Sequence, residues 1–114
     1  MEGCLFCKIA GGAIKADVVY QDDRVVSFRD INPQAPVHLL IIPREHISTI
    51  SDLQEQHREL VGHIFLVAGK LADQFGIARE GYRVVANCRE AAGQTVFHAH
   101  FHLLGGRQFG WPPG

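Results

Sequence analysis

The sequence predicts an α+β domain with an antiparallel sheet, and three observations predict it. Short runs rich in β-branched and aromatic residues recur about five times, one long segment carries apolar residues at helical spacing, and a short Asp-Asp turn joins the first two runs. With 114 residues, 46% of them hydrophobic, the chain has enough apolar surface for one core, and it reads as a single domain over residues 1–114.

The elements follow in order. A short helix is expected near Phe6 to Ala10. Val18-Val19-Tyr20 and Val25-Val26-Ser27-Phe28 read as two strands joined through Asp22-Asp23. The strongest punctuation is Asn32-Pro33-Gln34-Ala35-Pro36, a loop inside the domain, because Pro fixes φ and removes donors. His38 to Ile42 is a third strand, ended by Pro43. The long helix is expected to start at Ser51, where Ser51 and Gln54 have capping-box spacing, and to stop at Gly76. Its buried face is Leu60, Ile64, Phe65, Val67, Ala68, Leu71, Ala72 and Phe75, which leaves His57 and His63 outside the stripe and in solvent. Gly62 and Gly69 interrupt good helix formers, which close approach of another backbone, as in a dimer, would justify. Tyr82 to Ala86 and Thr95 to Leu104 complete the set of strands.

Composition excludes several classes of function. A net charge of −1, from 12 acidic and 11 basic side chains, supplies no general field for nucleic acid or anionic lipid. No apolar run approaches the roughly 20 residues that span a bilayer, and the first residues lack signal-peptide features, so a cytoplasmic location is expected. Three cysteines, two of them only three positions apart, do not form a disulfide framework.

The unusual number is seven histidines. His98, His100 and His102 alternate with Ala99, Phe101 and Leu103, so an extended chain lines one face with imidazoles and sends the apolar residues to the core. Three chemistries compete for this cluster: zinc ligation, nucleophilic attack on phosphorus by a neutral imidazole, and passive phosphate binding aided by Gly105-Gly106-Arg107. A single strand readily supplies two ligands to one ion, whereas the nucleophilic reading needs no metal.

His98-Ala99-His100-Phe101-His102-Leu103-Leu104 resembles the His-x-His-x-His-x-x signature of the histidine-triad superfamily. The resemblance extends through Phe6-Cys7-Lys8-Ile9, Asp30 to Pro36, Ile42 to Ile47 and the ending Gly105 to Gly114, which look like the Hint branch, the histidine-triad nucleotide-binding proteins. It implies a dimeric HIT-like fold and a purine nucleoside phosphoramidase that cleaves the P–N bond through a nucleotidyl-histidine. By carry-over His100 is the nucleophile, His98 the proton donor to the leaving amine, His102 a donor to phosphate oxygen, and His38 a support. Asp30 would hold the ribose hydroxyls; Leu5, Phe6, Ile9, Phe28, Ile31 and Leu40 would form the purine slot. Asn87, Gly93 and Thr95 would contact phosphate and leaving group. The resemblance also implies that tail 105–114 reaches the partner subunit, so that Trp111 and Phe109 influence leaving-group preference. No cofactor is required for this chemistry.

Cys4-Leu5-Phe6-Cys7 has the spacing of a zinc hook. Some bacterial members of the superfamily complete such a pair with residues matching His46 and His98, which implies a structural zinc on Cys4, Cys7, His46 and His98. That assignment conflicts with His98 as a proton donor. Cys88 reads as a bystander. Two other functional readings remain open: a nucleotide-binding regulatory or adaptor protein, and a dinucleoside polyphosphate hydrolase, against which the Trp-Pro-Pro-Gly ending argues.

Overall fold

Asp22 shows how the turn chemistry sets the sheet. Its Oδ1 accepts the main-chain N–H groups of Arg24 (2.8 Å) and Val25 (2.9 Å), closing the turn between β1 (Val18–Gln21) and β2 (Val25–Arg29). The computed structural model describes residues 3–114. In it β3 (Val37–Pro43), β4 (Tyr82–Val85) and β5 (Phe101–Gly105) complete a five-stranded antiparallel sheet in the order β1-β2-β3-β5-β4. Helix α1 (Leu5–Ala10) lies against one face and α2 (Arg58–Gln74) against the other.

Strand alternation divides the core in two. Val25, Leu39, Ile41, Phe101 and Leu103 face α2 and meet Leu60, Ile64, Val67, Ala68, Leu71 and Ala72. Val26, Phe28, Leu40 and Ile42 face the opposite way and pack with Phe6 of α1. His38 and His102 have the parity of Leu40, and Leu40 pairs with His102 across the ladder, so both imidazoles belong to the α1 face. Phe65 departs from the expected stripe. It is 51% exposed because the buried face of α2 is narrower than the apolar spacing suggests.

The helix starts later than Ser51. Thr49 and Asp52 form a capping box over a 3-10 turn, Ile50–Asp52; the backbone is then extended at Leu53 and Gln54. A second turn, Glu55–His57, precedes α2. His57 is buried instead of solvated: Nδ1 accepts the Gln54 N–H (2.9 Å) and Nε2 donates to Glu45 (3.0 Å), so it anchors the helix entrance. His63 is likewise engaged, Nε2 donating to Asp22 Oδ2 at 2.6 Å. At the other end the Gly76 N–H meets the Asp73 carbonyl and the Ile77 N–H meets that of Ala72, a Schellman pair made possible by Gly76 at φ 75°.

The predicted strand Thr95 to Leu104 is only half a strand. The β3–β5 ladder stops at Ile41 and Phe101 because the next main-chain donor due on β3 falls at Pro43, which has no N–H. Ala99 instead donates to Ile47 O (2.6 Å), and His98 and His100 lie on a bent approach segment ahead of β5.

Gly105 and Gly106 serve packing rather than phosphate binding. A Cβ on Gly105 would come within 2.6 Å of the Ile77 side chain, and one on Gly106, at φ 90°, would press on Pro36. Arg107 lies over the same loop, donating Nε–H to Gln34 O (2.9 Å). No helix among the described residues is long and apolar enough to cross a membrane.

Ser27 Oγ is fully buried on the α2 face without a hydrogen-bond partner. Ser27→Ala therefore raises stability by about 1 kcal/mol, since it removes an unpaired hydroxyl that folding must desolvate. Denaturant unfolding checks this; a loss of stability would show that the hydroxyl has a partner in solution.

Candidate active site

The site forms where α1, the segment before β5 and the α1 face of the sheet converge. Cys4 caps α1, its Sγ accepting the Cys7 N–H at 3.3 Å, and this sets Phe6 edge-on to His100 with ring centroids 5.1 Å apart. A cleft of about 650 Å³ opens beside them. Phe6, Ile9, Phe28 and Leu40 give it apolar lining, and Asp30, His100 and His102 line it as well.

Main-chain partners determine the tautomers of three rings directly and, through one of them, that of a fourth. The Gln34 amide can only donate, and it meets His38 Nδ1 at 3.0 Å, so the proton of His38 is on Nε2. That N–H lies 2.9 Å from His102 Nδ1, which accepts it; Asp30 Oδ2, at 3.4 Å, faces the same hydrogen. His102 consequently carries its own proton on Nε2. His100 Nδ1 donates to the His98 carbonyl (2.8 Å), leaving Nε2 without a proton. His98 Nε2 donates to the Pro43 carbonyl (2.7 Å), leaving Nδ1 bare.

This pattern places a bare imidazole nitrogen on His100 beside an imidazole N–H on His102, with ring centroids 5.1 Å apart. Burial pushes the pKa of His38 down and that of His102 down to about 4, with neighbouring His100 as the next cause at His102. Both rings are neutral near pH 7, as the hydrogen-bond chain requires.

His98 does not match the role of proton donor. It is 0% exposed, and its one N–H is committed to Pro43. Its bare Nδ1 instead lies 3.3 Å from Cys4 Sγ and 3.5 Å from Cys7 Sγ, while His46 Nδ1 lies 3.2 Å from Cys7 Sγ. These four ligand atoms all lie within 4.8 Å of one another. Burial, then the Cys4 thiol, raises the pKa of Cys7, so a pair of thiolates here calls for a cation.

The remaining expected residues divide. Asp30, Thr95 and the apolar residues line the cleft, and Ile31 touches its rim although it is fully exposed. Asn87 and Gly93 lie outside the lining; Gly93 ends the 3-10 turn Glu90–Ala92 in a left-handed conformation. Trp111 is 85% exposed, while Phe109 is held between the guanidinium groups of Arg83 and Arg107 at 5.0 and 4.2 Å. Cys88 Sγ lies 3.3 Å from Ser51 Oγ, and hydrogen bonding to Ser51, with smaller help from Thr49 and Arg89, holds its thiol below the ordinary range. The sequence reading missed Val96 and the stretch Ile14 to Asp17 on the cleft wall, and the main-chain groups of Gln34 and Pro43 that set the tautomers.

Acid should weaken the fold over a defined range. As pH falls from the ordinary histidine value near 6.5 to about 4, the unfolded chain takes up a proton at His102 that the native site refuses, and His38, also held below its ordinary value by burial, adds to the effect, so stability falls as pH falls. Asp22 extends the loss below that range: burial opposes its charge, but the Arg24 N–H, Tyr20 hydroxyl and His63 bonds outweigh it and hold the carboxyl well below the usual carboxylate range. Unfolding free energies at pH 7, 5.5 and 4.5 check the sign, and a flat profile would contradict it.

An α+β fold built on an antiparallel sheet, with an unprotonated imidazole nitrogen on a ring that lines a largely apolar cleft, defines a class: binders of a small molecule that can present a nucleophile to it. The HIT domain model matches residues 12–109, and the chain belongs to the HIT domain family. It is 50% identical over 109 residues to the purine nucleoside phosphoramidase of Escherichia coli, covering 96% of this chain and 92% of that protein. It is 49% identical to a HIT-like protein of Synechococcus elongatus, over 99% and 98% of the two chains. Among solved structures, a HIT family hydrolase from Legionella pneumophila superposes with a TM-score of 0.97 at 54% identity, covering 98% of this chain and all of that one. A Clostridium thermocellum HIT family hydrolase gives 0.94 at 48%, with 96% of each chain covered.

Proposed function

We propose that the protein is a purine nucleoside phosphoramidase, releasing AMP or GMP from 5′-phosphoramidates through a nucleotidyl-His100 intermediate. The observation that carries this reading is the tautomer of His100, whose Nδ1–H is held by the His98 carbonyl so that Nε2, on a ring that lines the cleft, is left as a free nucleophile. The relationship to the E. coli phosphoramidase supports it.

In the first step His100 Nε2 bonds to phosphorus as the P–N bond breaks and the amine leaves with a proton. In the second, water displaces His100 and releases the nucleotide. His102 donates its Nε2–H to a phosphoryl oxygen, whose charge grows in each transition state. Asp30 accepts from the ribose hydroxyls, and Phe6, Ile9, Phe28 and Leu40 bury the purine. The departing amine takes its proton from solvent, since the single N–H of His98 is committed to Pro43, and Thr95 in the cleft lining offers a hydroxyl as a hydrogen-bond partner.

A structural zinc on Cys4, Cys7, His46 and His98 belongs to the same reading. Two thiols and two ring nitrogens are a suitable donor set, and the bare Nδ1 of His98 is the lone pair such a site uses. When bound, the ion supplies structural cross-linking and a fixed positive charge. A homodimer is the second part: Phe65 and Leu66 are exposed on α2 beside open space at Gly62, and Tyr82 is exposed on edge strand β4. Domain extent 1–114 and the tail's reach to the partner, with Trp111 near the leaving group, complete it.

The test is AMP release from adenosine 5′-phosphoramidate alongside diadenosine tetraphosphate. Faster cleavage of the phosphoramidate is expected. Preference for the dinucleotide would overturn the substrate class, and tight AMP binding without turnover of either would favour a binding module.

A further inference from the structure

Asp30, His38 and His102 bring a carboxylate oxygen and two ring nitrogens within 4.8 Å of one another, the composition of a two-histidine, one-carboxylate metal site. The structure contradicts ligation there. A metal on His38 Nε2 would put the ring proton on Nδ1, where it would face the Gln34 N–H at 3.0 Å, donor against donor. The cluster is a directed chain of hydrogen bonds, and its direction is set outside the cleft.

We propose that the main-chain N–H of Gln34, held in register by Arg107, is the positioning group that fixes His102 as the phosphoryl donor. The chain runs from Gln34 N–H to His38 Nδ1, from His38 Nε2–H to His102 Nδ1, and ends at His102 Nε2–H. Every link has one sense because a main-chain amide cannot accept. Without that first donor, His38 is free to carry its proton on Nδ1, and His102 then loses the partner that keeps its own proton on Nε2. Asp30 reinforces the same sense, since its carboxylate faces the His38 Nε2–H and accepts only. It is also tied to this loop, its Oδ1 accepting the Asn32 N–H at 2.8 Å.

Gln34 is held on both sides. Its carbonyl accepts from Arg107 Nε, its side-chain amide donates to Asn32 O (3.0 Å), and Pro36 packs on Gly106. Arg107 is itself braced by stacking on Phe109 and by donating to Gln108 O. A guanidinium that the sequence offered as a phosphate binder thus acts on the loop behind the site.

The inference deepens the phosphoramidase reading and rests on it for the role of His102, but its first readout needs no substrate. Nitrogen-15 NMR of histidine-labelled protein reads ring tautomers directly. In the native chain His38 and His102 are expected as single Nε2–H tautomers. Gln34→Pro, which deletes the N–H, is expected to give mixed tautomers at both rings and to lower kcat about tenfold with little change in KM, the effect of one lost orienting hydrogen bond. Gln34→Ala, which keeps the N–H, keeps single tautomers; Arg107→Ala mixes them partially. An amide-to-ester replacement at residue 34 supplies the same deletion should Gln34→Pro fail to fold.

Single tautomers persisting in the folded proline or ester form would overturn the proposal, as would equal mixing in Gln34→Ala. Single tautomers in the native chain that mix on deletion, in a protein that cleaves no phosphoramidate, would leave the chain standing and remove the substrate assignment instead.

Discussion

His100→Ala should reduce turnover of adenosine 5′-phosphoramidate by at least about a thousandfold and abolish the covalent adduct, while AMP binding survives within a few-fold. The size follows from the arrangement of the rings. Of the three, only His100 combines a bare nitrogen with a place in the cleft lining; His102 presents an N–H, and the bare Nδ1 of His98 faces the cysteines. No neighbour can substitute as nucleophile without reversing a tautomer that a main-chain group enforces. Binding persists because the contacts proposed for purine and ribose lie on Phe6, Phe28, Leu40 and Asp30, all in the cleft lining. The measurement is AMP release combined with intact mass after acid quench. Activity within tenfold of wild type, or an adduct retained in the variant, would remove His100 from the role.

The fold was legible because its information is periodic. Alternation in Val25 to Phe28 and His38 to Ile42, and the three- and four-residue steps of Leu60, Ile64, Val67 and Leu71, report which face is buried. Alternation even placed Ala99, Phe101 and Leu103 in the core, although only the last two lie on a strand. What failed was set by single groups with no periodic signal. Pro43 ended a ladder one strand away, Thr49 capped a separate 3-10 turn while the helix that Ser51 was expected to cap began only at Arg58, and His57 and His63 found carboxylate partners 12 and 41 residues distant.

The site divides in the same manner. Residue types and their resemblance to a known pattern brought His38, His100, His102, Asp30 and the apolar wall together. They could not decide which nitrogen of each ring carries the proton, because that depends on carbonyls and amides that every residue possesses. His98 is the clearest case: its chemical type suits a proton donor and a ligand equally, and the Pro43 carbonyl excludes the first.

That exclusion makes the cysteine cluster the source of the second large effect. Cys7→Ser should lower bound zinc from about one ion per chain to below about a tenth, since it leaves three of four donors where a closed site needs four. The native protein should lose stability on chelation until it matches the variant, and the variant should not respond; at free zinc a thousandfold above Kd the difference is about 4 kcal/mol. Catalysis should follow in a characteristic way. The cluster fixes the ring of His98, and the carbonyl of the same residue holds the Nδ1–H of His100 at 2.8 Å, so loosening one end displaces the other. The expected signature is a fall in kcat larger than the rise in KM, because the cluster fixes the residue that orients His100 directly, whereas it reaches the purine wall only through Phe6 of α1. Metal analysis, unfolding with and without chelator, and separate kcat and KM values decide it. A native protein that holds no zinc after expression with added metal, and whose unfolding ignores chelator, would mean that Cys4 and Cys7 are reduced thiols capping α1. In that case the bare Nδ1 of His98 needs only an S–H donor from Cys4, and the cap alone positions the nucleophile.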